Sequence, residues 1–132
     1  MIELIVATTL AATAAALLVG GLRSIGRASS LASARRQVVA TLQAARSHAY
    51  RSATPAQVRV QTGSRTLMLQ RDGLPDQARD LPAQTRIEEA PRRAAVRFFA
   101  SGLADNATIS VAIPGATGSP VRTVVNQRAM IR

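Results

Sequence analysis

A single carboxylate, Glu3, stands just ahead of nineteen residues without a charge, Leu4 to Leu22 (LIVATTLAATAAALLVGGL). The only polar side chains in that run are Thr8, Thr9 and Thr13. A carboxylate at the edge of an apolar helix is costly in hydrocarbon unless it is paired. Left unpaired, it reads as an interfacial acid favoured by the positive N-terminal end of the helix. The other candidates are arginines. All 17 basic residues are arginine and lysine is absent. Arg122, Arg128 and Arg132 near the C-terminus, with Arg92, Arg93 and Arg97 as a second cluster, are the candidates for holding phosphates or other anions.

Catalytic chemistry is not indicated. The chain has no Cys, one His (His48), no Gly-x-Ser-x-Gly and no Gly-rich loop of nucleotide-binding spacing. His48 has no second His nearby and reads as a surface or boundary residue. Glu88 and Glu89 are adjacent, and neighbours on a strand face opposite sides, so they make a poor dyad or metal site and read as a solvated edge. No enzyme activity, cofactor or metal is expected. The net charge is +10; residues 23–132 alone carry 17 Arg against six acids, or +11. That excess favours nucleic acid, lipid headgroups or acidic proteins as partners. Aromatic residues are limited to Tyr50, Phe98 and Phe99, so stacking platforms for single-stranded nucleic acid are nearly missing.

These side chains need elements to carry them. At about 1.5 Å per residue, a helix over Leu4–Leu22 nearly covers a hydrocarbon core of about 30 Å. A secretory signal, whose cleavage site the alanines around Ala14–Ala16 would mimic, fits less well: the run is long and nothing basic precedes it. Arg23, Arg27, Arg35 and Arg36 all follow the run. Taken literally, that asymmetry places the remainder in the cytoplasm; basic residues upstream of Met1 would reverse it. From Ser24 to Ser52 there is no Pro, and Leu31, Ala34, Val38, Leu42, Ala45 and Ala49 recur at steps of three or four. One helix from about Ile2 to about Ser52 is predicted, weakened at Gly20, Gly21 and Gly26 and ended by Ala53-Thr54-Pro55.

Short alternating runs follow. Gln57–Gln61 and Thr66–Gln70 read as a hairpin around Thr62-Gly63-Ser64. Arg71 through Pro82 reads as a long polar surface loop. Thr85–Glu88 is a short edge strand, Ala94–Phe99 a stronger one stopped by Gly102. Ala107–Ile113 is a strand burying Ile109, Val111 and Ile113. Val121–Val125 returns after a Pro- and Gly-rich loop, and Met130-Ile131 adds a last short strand. The expected fold is α+β: a long N-terminal transmembrane helix packed on a small antiparallel β-sheet domain, with the strands in two layers. Its parts are residues 1–22 (membrane half of the helix), 23–53 (amphipathic half) and 54–132 (β-rich head).

The start Met1-Ile2-Glu3-Leu4-Ile5-Val6 resembles the mature N-terminus of type IV pilins and type II secretion pseudopilins. The helix-then-β order, the run Val96–Gly102 and the hairpin Thr108–Ile113 with Val121–Asn126 resemble the H-type minor pseudopilins and T-type minor pilins (GspH/FimT). The resemblance implies a structural subunit, anchored by one span in the inner membrane with a periplasmic head, that enters a pseudopilus or pilus and primes or caps it. It implies other pilin or pseudopilin subunits and inner-membrane lipid as partners, and Glu3 pairing with the N-terminal amine of a neighbouring subunit. Secretion, pilus and competence systems all remain open. DNA-binding T-type pilins end in Gly-Arg-x-Arg, whereas Arg128-Ala129-Met130-Ile131-Arg132 matches only at Arg132. The resemblance therefore does not carry DNA binding by that motif. Two further readings stay open: a pilin-like module holding DNA on Arg122, Arg128 and Arg132, and an unrelated single-span protein with a cytoplasmic basic domain.

By the same resemblance, Met1 takes the third mature position, and a basic leader ending in Gly, the substrate of a prepilin peptidase, is expected upstream. Sequencing the DNA ahead of the Met1 codon tests this. An in-frame basic segment closing on Gly and an aromatic or similar residue is expected; its absence removes the explanation.

Overall fold

The computed structural model describes residues 1–132. Helix α1 runs Ile2–Ser52 without interruption, about 75 Å long at the usual rise. Alanine and other helix formers dominate it, Glu3 lies in the first turn and Arg51 in the last, and both charges complement the helix dipole. The helix stops where Ala53 turns left-handed (φ 53°, ψ 27°), two residues before Pro55. Its buried face is Ala34, Val38, Thr41, Leu42, Ala45 and Ala49. This is the predicted stripe, with Leu31 half-buried at its margin. Thr41 enters because its hydroxyl is spent on the Gln37 carbonyl at 2.7 Å. His48 is half-buried, at the boundary of that face.

The head contains β1 (Ala56–Val60), β2 (Thr66–Arg71), β3 (Leu74–Asp80), β4 (Arg86–Glu89), β5 (Ala95–Phe98), β6 (Ala107–Ala112) and β7 (Val121–Val125). They form two antiparallel sheets, ordered β3-β2-β1-β5 and β4-β6-β7. Helix α1 lies against β1, β2 and β5 of the first sheet and β6 and β7 of the second. Alternation does the sorting: Ala56, Val58 and Val60, Leu67 and Leu69, Val96 and Phe98, and Ile109 and Val111 point inward. Small residues on the helix, Ala34, Ala45 and Ala49, let its backbone come close to both sheets. Two sets of backbone bonds tie the sheets together. Gly63 N–H donates to the Ile87 carbonyl (2.8 Å) and Ile87 N–H to that of Ser64 (2.9 Å). At the other end Ala104 N–H reaches Gln127 and Asp105 N–H reaches Arg97.

The structure departs from the sequence reading at three places: β3, Ile113 and Met130. The polar stretch after Arg71 is a strand, β3, paired with β2 from Thr66↔Asp80 to Arg71↔Leu74. Only Gln77 in it is shielded at all, so neither face meets the core and no alternation exists to be read. Backbone pairing and the side-chain bonds Thr66–Asp80 (2.7 Å) and Gln70–Asp76 (2.6 Å) hold it, and Pro75 with the flanking charges suits a sheet edge. Glu88 and Glu89 are both exposed, the solvated edge expected of them, with a register shift between Ile87 and Glu89. Ile113 is half-buried, since β6 ends at Ala112. Of Met130-Ile131, only Ile131 pairs, by a single bridge to Val125.

Leu42 is fully buried between helix and sheets, so Leu42→Ala is expected to destabilise the head by about 2–5 kcal/mol. Ala53→Gly relieves the left-handed backbone at an exposed site and is expected to stabilise by about 0.5–1 kcal/mol, after the added freedom of the unfolded chain. Urea titration of the detergent-solubilised chain, followed by circular dichroism, measures both.

Candidate functional site

Residues 1–29 bury nothing against the rest of the chain. Leu4, Ile5, Leu10, Leu17, Leu18, Leu22 and Ile25 are each at least 60% exposed. The consequence shows in the total surface. The chain presents 8678 Å², whereas a compact monomer of 13.9 kDa presents about 6,700 Å². The excess, about 2,000 Å², is comparable to the whole area buried in a stable protein–protein interface. It belongs to a helix long and apolar enough to cross a membrane.

The polar groups in this rod are arranged for an apolar neighbourhood. Thr8 donates to the Leu4 and Ile5 carbonyls, Thr9 to those of Ile5 and Val6, and Thr13 to those of Thr9 and Leu10, all at 2.9–3.0 Å. Each hydroxyl is thus satisfied within its own helix, and no unmet donor faces outward. Glu3 differs: it is exposed and has no ionic partner in the chain.

The arginines are less gathered than their spacing suggests. Arg122 lies on the outer face of β7 and is exposed. Arg132 exchanges two backbone bonds with Val124 (2.9 and 3.0 Å), and directly paired residues share a face. Arg122 and Arg132 therefore fall on one side of the second sheet. Arg128 does not join them. It sits in the turn after β7, where the Asn126 carboxamide oxygen accepts from the N–H groups of Arg128 and Met130. Ala129 in that turn is buried and left-handed (φ 54°), a conformation that glycine tolerates better. The second cluster splits: Arg92 and Arg93 precede β5, while Arg97 near its far end is bridged to Asp105 at 3.0 Å. Of the other acids, Asp76, Asp80 and Glu89 bond neutral donors, Glu89 with Ser110 at 3.0 Å, which leaves the positive excess on the surface.

Sequence reasoning missed a convergence. Tyr50, Phe98 and Phe99, the chain's three aromatics, all line one hollow with Arg46 and Arg51, between the end of α1 and the end of β5. Positions 50 and 98 give no local pattern linking them.

A family model described as Type II transport protein GspH matches residues 34–128, which span the head and the part of α1 packed on it. The fold is similar to that of the type IV minor pilin FimU of Pseudomonas aeruginosa, with a TM-score of 0.62 at 20% identity over 77% of this chain and 86% of that one. It is also similar to the minor pseudopilin EpsH from the type 2 secretion system of Vibrio cholerae, with a TM-score of 0.57 at 17% identity over 74% and 90% of the two chains. No curated protein sequence matches this chain.

An arginine at mid-run costs about 2.5–3.5 kcal/mol of membrane insertion. Leu10→Arg is therefore expected to move the chain out of the carbonate-resistant membrane fraction. Arg65→Gln, in the head, is expected to leave it there. Immunoblotting of the fractions reads the result.

Proposed function

The chain belongs to the GspH family of type II transport proteins, and from that premise we propose that it is a minor subunit of a pseudopilus or pilus. Residues 1–22 hold it in the inner membrane, with the head in the periplasm, until it is drawn into a filament. There it primes or caps assembly. One observation carries this reading: the first 29 residues form a rod with no cover of its own, and lipid tails and the rods of other subunits are equally apolar surroundings for it. Moving from one to the other therefore exchanges like contacts for like. Shape fit and the pairing of Glu3 are left to decide whether the subunit leaves the bilayer.

In the filament, Glu3 accepts from the N-terminal amine of an adjacent subunit. Its position in the first turn is one where the helix dipole favours negative charge. A bound pair in apolar surroundings is strongly sensitive to removal of one member, because the other is left uncompensated.

Glu3→Gln is expected to remain in the membrane fraction, since it removes a charge from the apolar edge. The same variant is expected to be recovered in sheared or cross-linked filaments at less than about a tenth of the wild-type yield, a loss on the order of 1.4 kcal/mol or more. Wild-type incorporation of Glu3→Gln removes the assigned role of the carboxylate. Failure of the wild-type chain itself to cross-link with other pilin-like subunits overturns the filament reading.

A further inference from the structure

The hollow between the end of α1 and the end of β5 has a volume of about 500 Å³. Its floor is apolar: Phe98 and Ala129 are each 1% exposed. Its rim is Tyr50, Phe99 and Leu103, which are 75%, 37% and 53% exposed. Arg46 and Arg51 complete the lining, and no carboxylate takes part in it. Phe99 also borders a second hollow that holds Arg71 and Arg97, and Arg71 Nε is buried there without a hydrogen-bond partner. Two adjoining depressions thus share one aromatic side chain and are edged by four arginines, of which Arg97 is bridged to Asp105, with Asp72 also on the second.

We propose that this cleft docks a carboxylate-rich peptide segment of a partner protein, with one apolar side chain of that segment seated on the Phe98 floor. Three features fix the chemistry. Solvent-exposed Tyr, Phe and Arg around an apolar pocket is the composition of interface anchor sites. Arg46 and Arg51 have no ionic partner in the chain, so each can take an incoming carboxylate through its planar fork. The occupant is not a second copy of this chain, whose 17 arginines against seven acids would set like charge against like. Nucleic acid is disfavoured by the state of Phe99: the Arg97 guanidinium lies over its ring at 5.8 Å and is bridged to Asp105, so that face is not open for a base to stack on. The cleft belongs wholly to the head and the last turns of α1, away from the apolar rod, and the proposal stands apart from the filament reading.

The test is fluorescence anisotropy on the full chain in detergent, with a labelled peptide in which glutamates flank one leucine. Saturable binding is expected, weakened at least about tenfold by Arg51→Gln and by Tyr50→Ala. Both sites are exposed, so the fold is not put at risk. Arg65→Gln removes the same charge at the opposite end of the β1–β2 hairpin and is expected to leave affinity unchanged. The proposal is overturned if the peptide does not bind, if Arg65→Gln weakens it as much as Arg51→Gln, or if a peptide with glutamines for the glutamates binds equally. It is also overturned if an oligodeoxythymidylate binds more tightly than the peptide and Tyr50→Ala abolishes that binding.

Discussion

Only the second half of α1 finds a surface in its own chain. Between Ala34 and Ala49 the helix is pressed on both sheets by side chains small enough to permit close approach, and that contact positions every strand that follows. The first half has no such surface, and its roughly 2,000 Å² of excess exposure is a demand that something outside the chain must meet. The internal bonding of Thr8, Thr9 and Thr13 makes the demand purely apolar. Between Leu4 and Leu22 the rod is suited to any neighbour without hydrogen-bonding groups to offer; Glu3 stands at one edge of that run and Arg23 and Arg27 at the other.

The head is built on a different balance. Its core is aliphatic with a single aromatic, Phe98, and its polar surface is strongly positive. One ion pair joins an arginine to an acid; Asp80, Asp76 and Glu89 are bonded to Thr, Gln and Ser side chains. Surface ion pairs contribute little to stability, so the fold does not suffer from their scarcity. The effect is on association: a head with this charge approaches anionic surfaces readily and its own copies poorly.

What could be read from the residues in order follows from locality. The rod, the helical stripe and the strands that bury one face each carry a period that a short window reveals. Strand β3 carries none, because it is an edge with both faces wet, and a wet strand with Pro75 looks like a loop. The division of the strands into two sheets, β3-β2-β1-β5 and β4-β6-β7, depends on pairings between distant segments such as β1 with β5. Among the candidate residues, Glu3 stands out from its immediate neighbours alone, and the structure shows it exposed and unpaired. The gathering of Tyr50, Phe98 and Phe99 was not, because the close of α1 meets the close of β5 only after the sheet has formed. The same holds for the separation of Arg128 from Arg122 and Arg132, which is decided by a turn around Asn126.

Gly20, Gly21 and Gly26 fall in the unsupported part of α1, and nothing lies within 4 Å of where a side chain would stand on any of them. Packing within the chain does not require them, yet each weakens a helix by about 1 kcal/mol relative to alanine. The span from Gly20 to Gly26, ahead of the first buried residue, Ala34, is therefore the least intrinsically stable part of this helix.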